Sequence, residues 1–234
     1  AIGRSIAPYV PTPDSPNLRM LAATVTESQR ERYLAPYVRG ETISAIVISE
    51  PGAGSDPANM RTSAVREGDE WVLNGRKVWI TRADVADFSI VMAVTDREKG
   101  ARGGISAFLI DNGTHGLNIA RKIPMIGGNA TFELEFDNCR IPADALLGEA
   151  GKGFAPMQLR LSTRRLEMST WCIGIAQRAL DMIIEYAPQR FTFGSALSEK
   201  QTIQNWIAEA EIKIHSARLM AYDTAWKLDA GKSV

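Results

Sequence analysis

Residues 71–80 carry the strongest fold signal in the chain: Trp71-Val72-Leu73-Asn74-Gly75-Arg76-Lys77-Val78-Trp79-Ile80. The stretch places an Asn-Gly pair between two β-prone runs. Both central positions of a tight hairpin turn need positive φ, which Asn and Gly adopt more readily than other residues. We therefore predict a β-hairpin that turns at Asn74-Gly75.

Further strands are predicted on both sides of this hairpin, because short β-prone or alternating runs recur between turn residues. They cover Ile43 to Ser49, Met60 to Arg66, Phe88 to Thr95, Ile105 to Asp111, Leu117 to Ile123 and Thr131 to Phe136. No helical pattern separates these strands, which favours an antiparallel β-barrel or sandwich.

Helical patterns flank the β region. Thr26 and Gln29 have the capping-box spacing at the start of a helix that runs to about Val38, after an irregular Pro-rich connection from Pro8 to Pro16. Apolar residues at helical spacing predict a helix over Met157 to Tyr186 and another from Ser198. The turn between them, Ala187 to Leu197, contains Pro188.

The predicted fold class is therefore α+β, with an antiparallel β-barrel or sandwich domain followed by an incomplete antiparallel helical bundle. Residues 1–41 are assigned to the end of an N-terminal helical domain. Residues 42–150 form the middle β domain, and residues 151–234 supply the first helices of a C-terminal helical domain.

Composition excludes several classes of function. Lys and Arg number 27 and Asp and Glu number 27, so the chain has no basic excess for a nucleic-acid partner. The apolar runs are far shorter than a membrane span needs.

Cys139 and Cys172 are too distant for a CxxC pair, and we expect two buried free thiols in a reducing compartment. His115 and His215 lack zinc-ligand spacing, so no metal site is predicted.

Glycine-rich segments match none of the common nucleotide or nucleophile motifs. Gly52-Ala53-Gly54-Ser55-Asp56 lacks the third glycine of a dinucleotide fingerprint, and Gly148 to Gly153 lacks the hydroxyl residue of a phosphate loop. If the protein is an enzyme, its difficult chemistry is expected to belong to a cofactor.

Four segments in order resemble the acyl-CoA dehydrogenase family: Ser49 to Asp56, Asn74 to Thr81, Gly174 to Asp181, and Arg190 to Gly194 with Gln201 behind it. The resemblance implies a middle β-barrel domain between helical domains, with FAD bound at their junction. It also implies a homodimer or homotetramer and an electron-transfer flavoprotein as acceptor. Since the match covers the middle of the family's length, we expect the chain to be a fragment.

The resemblance assigns flavin contacts to two of these segments. Ser49 stands where relatives place a hydroxyl against the flavin ring, and Gly54-Ser55 where they bind the FAD pyrophosphate. The glycines let backbone amides approach a phosphate, although a simple tight turn after a strand remains an alternative. Trp79 and Thr81 alternate with Ile80 and so share a strand face; in relatives the indole packs on the ring and the hydroxyl reaches N5.

Arg190, Thr192, Phe193 and Gln201 resemble the segment that reaches the FAD of a neighbouring subunit. An arginine fork can bond phosphate oxygens in pairs. Gln201 has a second interpretation, because its spacing from Ser198 also fits a capping box at the start of its own helix.

The chain departs from the family at the catalytic base. The family's usual glutamate has no counterpart here, and its alternative position, just before the arginine matching Arg165, is held by Arg164, which cannot act as a base. Glu167 is instead expected to face outward on its helix. Residues 125–131 also lack the family's usual pattern before the next strand. Arg102, Arg164 and Arg165 are candidates for coenzyme A phosphates or thioester atoms, with surface solvation as the alternative.

The resemblance implies a flavoenzyme that dehydrogenates an acyl-CoA thioester at its α and β carbons, with the base outside this chain. Two alternatives remain: a relative such as an acyl-CoA oxidase or nitroalkane oxidase, and a non-catalytic acyl-CoA-binding scaffold. The expected location is the bacterial cytoplasm or the mitochondrial matrix.

Overall fold

The computed structural model describes residues 15–126 and 130–232. The Pro8 to Asp14 part of the predicted connection and residues 127–129 of the divergent segment lie outside these ranges. One compact unit ends at Leu161 and a second begins at Ser162. The predicted domain boundaries at residues 41 and 150 remain predictions.

The first unit opens with helices and continues as a sheet. Its helices are α1 (Ser15–Thr24), α2 (Glu27–Gln29), a π-helical turn (Arg30–Leu34) and α3 (Ala35–Arg39). Its strands are β1 (Ser44–Val47), β2 (Ser63–Glu67), β3 (Glu70–Thr81), β4 (Phe88–Val94), β5 (Ile105–Asp111), β6 (Leu117–Pro124), β7 (Ala130–Pro142) and β8 (Leu146–Leu147). Helix α4 (Phe154–Tyr186) begins in this unit and continues into the second.

The strands form one eight-stranded sheet in the order β6-β7-β3-β2-β4-β5-β8, with β1 paired to β4. Most pairs are antiparallel, but β1 runs parallel to β4. A sheet domain followed by helices is confirmed. Among the described residues, however, the pairings stop at β6 and β8, so the sheet is not a closed barrel. The exposed Arg121 and Lys122 on β6 suit an unpaired edge.

Strands β4 and β5 are buried on both faces because alternate residues enter two hydrophobic cores. Val91 and Phe108 belong to a core within the sheet domain. Their neighbours Met92 and Leu109 belong to a second core, formed with residues of the N-terminal helices such as Leu21. Double burial explains why these strands read as continuous apolar runs.

The predicted hairpin at Asn74-Gly75 is wrong. Strand β3 runs unbroken through both residues, and the register with β7 shifts between Leu73 and Gly75. Asn74 Oδ1 accepts the amide of Asn138 (2.9 Å), so Asn-Gly here forms an irregularity within a strand. The actual turn is Gly68-Asp69, between the paired residues Glu67 and Glu70. Gly68 supplies its positive φ of 61°.

The N-terminal helices confirm one prediction and add an element. Thr26 Oγ1 accepts the amide of Gln29 and Gln29 Oε1 accepts the amide of Thr26, so the capping box is present. Helix α1 was not predicted, and it contains Pro16, the last residue of the predicted irregular connection, because a proline is tolerated in the first turn of a helix. Gly40, with φ 74°, ends α3.

The second unit contains the rest of α4, a short hairpin and α5. The hairpin pairs β9 (Phe191–Thr192) with β10 (Ser195–Ala196), and α5 spans Gln201–Asp229. The predicted turn between two long helices is confirmed.

Candidate functional site

A bulge in β3 presents Trp79 at the surface. Lys77 pairs with Leu134 and Ile80 pairs with Phe132, so β3 has one extra residue between these pairs. Trp79 has a φ of 64°, a conformation that strains a non-glycine residue by about 1–2 kcal/mol. Its side chain is 59% exposed. Thr81 is exposed and Ile80 is buried, in agreement with the predicted alternation.

Ser49 lies beside the residue that precedes this tryptophan. Val78 donates its amide to the Ser49 carbonyl oxygen (2.9 Å). Ser49 itself is half-buried. The structure therefore brings two predicted flavin-contact segments together, although they are distant in sequence.

A buried ion pair lies next to this junction, and sequence reasoning did not identify it. Lys77 Nζ is 2.9 Å from Glu50 Oε1, and the two side chains are 0% and 5% exposed. Desolvation lowers the pKa of Lys77 to about 8, with attraction to Glu50 opposing that shift. Burial acts to raise the pKa of Glu50, but Lys77 and hydrogen bonds from residues 61 and 62 together hold it below its usual value.

The glycine-rich loop follows Glu50 directly. Glu50 and Ala53 exchange backbone hydrogen bonds of 3.0 and 3.1 Å, which makes residues 50–53 a tight turn. Gly54 and Ser55 are exposed beyond it. A Cβ placed on Gly54 would meet no atom within 4 Å, so the chain's own packing does not require glycine there. The space over Gly54 leaves room for another molecule to approach the backbone.

A cavity of about 490 Å³ adjoins the loop, with Gly52, Met60, Arg61 and Arg97 in its lining. The two arginines were not among the predicted site residues, since exposed basic side chains near loops give no distinctive sequence signal. Arg102 is exposed at the end of a short 3₁₀ turn (Gly100–Arg102).

On α4, Arg164 is engaged by residues of its own helix. Arg164 Nη1 donates to Glu167 Oε2 (3.0 Å), and its guanidinium lies 5.3 Å from the centre of the Trp171 ring. The Glu167 side chain is 27% exposed, so it is less outward-facing than expected. Arg165 is exposed.

The short hairpin displays an aromatic ring to solvent. Its turn residues Phe193 and Gly194 have φ values of 48° and 78°, as a tight hairpin turn requires. Phe193 and Arg190 are exposed, and Thr192 is half-buried where it pairs with Ser195.

The alternative interpretation of Gln201, a capping box with Ser198, does not match the structure. Glu199 Oε1 instead accepts the amide of Ala196 (3.3 Å), because a 3₁₀ turn (Leu197–Glu199) precedes α5. Helix α5 begins at Gln201 after Lys200, without a side-chain capping bond. Gln201 is exposed at this helix start.

Cysteine burial differs between the two thiols. Burial raises the pKa of Cys139 to about 11, so this thiol is poorly reactive. Cys172 is exposed, contrary to the prediction, because it faces away from the half-buried side of α4.

Within residues 15–126 and 130–232, no three His, Cys, Asp or Glu residues form a potential metal site. No helix in these ranges is long and apolar enough to cross a membrane.

Comparison with known proteins identifies two family domains. Residues 45–139 match the acyl-CoA dehydrogenase middle domain, and residues 151–234 match the acyl-CoA dehydrogenase C-terminal domain.

Two relatives illustrate the sequence similarity. The chain is 44% identical over 231 residues to (R)-benzylsuccinyl-CoA dehydrogenase of Thauera aromatica, covering 98% of this chain and 57% of that protein. It is 38% identical over 227 residues to a subunit of the caffeyl-CoA reductase-Etf complex of Acetobacterium woodii, covering 96% of this chain and 60% of that protein. The chain thus spans under two thirds of the length of these relatives.

Solved structures share the fold. Butyryl-CoA dehydrogenase from Megasphaera elsdenii superposes with a TM-score of 0.88 at 36% identity, covering 94% of this chain and 58% of that chain. The FAD complex of PigA superposes with a TM-score of 0.88 at 33% identity, covering 92% of this chain and 57% of that chain.

Proposed function

Because the chain belongs to the acyl-CoA dehydrogenase family, we propose that it forms the FAD-binding central part of an enzyme that dehydrogenates an acyl-CoA thioester at its α and β carbons. The main structural support is the junction at which the Val78 amide bonds the Ser49 carbonyl oxygen beside the exposed Trp79. This junction joins the two segments that the family uses against the flavin. The dehydrogenase and reductase names of the relatives agree with this proposal.

The residues present fit FAD. The indole of Trp79 is exposed on a strained bulge, where its flat face suits a tricyclic ring. The open space over Gly54 and the exposed Ser55 suit a diphosphate, which backbone amides and a hydroxyl can bind. When bound, FAD would accept the hydride from the substrate's β carbon. Ser49 and Thr81 would orient the ring through their hydroxyl groups.

A second copy of the protein is proposed to complete the site. Arg190 would bond phosphate oxygens, and Thr192, Phe193 and Gln201 would contact the adenine side of a neighbouring subunit's FAD. The exposure of the Phe193 ring and the absence of a side-chain capping role for Gln201 support this assignment. The proposed assembly is a homodimer or homotetramer.

The base that removes the α proton is proposed to lie outside these 234 residues. Arg164 holds the alternative family position, and Glu167 is paired with it. Arg102, Arg164 and Arg165 are proposed to meet coenzyme A phosphates or thioester atoms, and Arg102 and Arg165 are exposed.

Electron-transfer flavoprotein is the proposed acceptor, supported by the relative that belongs to an Etf complex. The bacterial cytoplasm or the mitochondrial matrix remains the proposed location. Rapid formation of hydrogen peroxide under air by the full-length protein would instead favour an oxidase. A colourless full-length protein would favour a non-catalytic scaffold.

Replacing Thr81 with valine in the full-length protein tests the mechanism. Loss of one hydrogen bond to the ring should leave FAD bound but slow its reduction by acyl-CoA about tenfold in single turnover, which corresponds to about 1.4 kcal/mol. Thr224→Val is a matched control, because that hydroxyl bonds its own helix at Met220 O. An unchanged reduction rate in Thr81→Val would remove Thr81 from the mechanism.

A further inference from the structure

The Lys77–Glu50 pair connects the separate segments of the proposed flavin site. We propose that Lys77 and Glu50 are positioning residues that set the placement of the Ser49 segment and the Gly54-Ser55 loop relative to Trp79. This inference rests on the proposed function. Neither residue is assigned a contact with FAD or substrate.

Lys77 holds the chain on both sides of Ser49. Its ammonium donates to the Ile48 carbonyl oxygen (2.9 Å) and to Glu50 Oε1 (2.9 Å). The third partner is Met60 Sδ at 3.8 Å. Val78 also bonds Ser49. Each of the three consecutive residues 48, 49 and 50 is therefore bonded to residue 77 or residue 78.

Glu50 closes the loop that contains Gly54 and Ser55. Its Oε2 accepts the amide of Arg61 (2.6 Å) and its Oε1 accepts the amide of Thr62 (3.0 Å). The residue that begins the loop therefore bonds the residues that follow it. Because the carboxylate is also bonded to Lys77, the loop ends and strand β3 share one fixed point.

The location of the pair favours positioning over stability as its role. Desolvating two charges is expensive, and well-packed apolar residues of similar volume are often equally stabilising. This pair instead satisfies three backbone groups in two segments, at residue 48 and at residues 61 and 62, directly before the bulge that presents Trp79. An apolar pair could fill the volume but could not bond those backbone groups.

The test compares the Lys77→Met/Glu50→Gln double variant with wild type in the full-length holoenzyme. The double variant removes both charges with similar side-chain volumes, and the glutamine introduced at position 50 can still accept one amide. Arg76→Met is the matched control, since Arg76 adjoins Lys77 on β3 but pairs with Glu135 at the exposed surface. The Glu50→Gln single variant, which keeps the Lys77 bond to the Ile48 carbonyl oxygen, is the second variant if the double variant does not fold.

Three measurements separate positioning from general stability: the melting temperature, the Kd for FAD by titration of the apoprotein, and kcat with KM for acyl-CoA. We expect the folded double variant to bind FAD at least tenfold more weakly. It should also lose at least tenfold in kcat, with a smaller change in KM. Glu50→Gln should also weaken FAD binding and lower kcat, and Arg76→Met should match wild type.

Wild-type FAD affinity and kcat in the folded double variant, or in Glu50→Gln if only that variant folds, would overturn the inference. Amide hydrogen exchange in the apoprotein distinguishes this failure from failure of the proposed function. Exchange at Arg61, Thr62 and Val78 should be at least tenfold faster in the variants, even if wild type binds no flavin. Unchanged exchange at these amides would also overturn it.

Discussion

Replacement of Gly75 by alanine should destabilise the sheet domain strongly. An added Cβ would lie 2.5 Å from Thr62 Oγ1 and 2.6 Å from Thr62 Cα, both far inside van der Waals contact. Thr62 is fully buried and its amide bonds Glu50, so it has little freedom to move away. Overpacking of this kind costs about 1–3 kcal/mol, and the positive φ of Gly75 adds about 1–2 kcal/mol. The expected loss is therefore about 2–5 kcal/mol.

Urea unfolding of the full-length protein, followed by tryptophan fluorescence, measures this loss as a lower midpoint. Gly68→Ala is the matched control, because Gly68 also has positive φ but an added Cβ would meet no atom within 4 Å. Its loss should be only about 1–2 kcal/mol, from backbone strain alone. A Gly75→Ala midpoint at or above that of Gly68→Ala would show that Thr62 yields, and would refute the steric argument.

Gly54→Ala should leave the free energy of unfolding in urea unchanged or raise it by about 0.5 kcal/mol. The same variant should weaken FAD binding at least tenfold in a titration. An unchanged Kd would contradict close approach of FAD to the backbone at residue 54. Gln29→Ala should lower stability by about 2–4 kcal/mol, measured by urea unfolding, because Gln29 Nε2 bonds the carbonyl oxygens of Asp144 and Leu146. The pKa of Lys77 is about 8 in the folded protein against 10.5 ordinarily, so the unfolded chain binds more protons between these values. The free energy of unfolding of wild type, relative to that of Lys77→Met, should therefore rise with pH across that window by at most about 1.4 kcal/mol per pH unit. Urea unfolding of both proteins at pH 7.5 and 9.5 measures this difference. The same difference at both pH values would contradict the lowered pKa.

Local patterns predicted the elements well because their causes are local. Strand β5 has the predicted bounds, Ile105 to Asp111, and the Thr26 capping box forms as its spacing indicates. Periodicity and capping depend on residues a few positions apart, so the sequence contains the whole signal.

The Asn74-Gly75 error shows where local reasoning ends. Asn-Gly suits positive φ, but a hairpin turn and a strand irregularity both use that property. Asn138 and Thr62, which are distant in sequence, decide between them here. Strand order likewise depends on pairings such as the parallel β1–β4 contact, which no local pattern encodes.

Some residues of the candidate site were selected from the sequence, and others were found only in the structure. The resemblance to the family selected Ser49, Trp79 and Thr81 as candidates, because the motifs that contain them are contiguous stretches of the sequence. The buried Lys77–Glu50 pair was not predictable, because a lysine in a strand is ordinarily solvated. Its burial depends on backbone carbonyl and amide groups that only folding brings within bonding distance of one ammonium and one carboxylate.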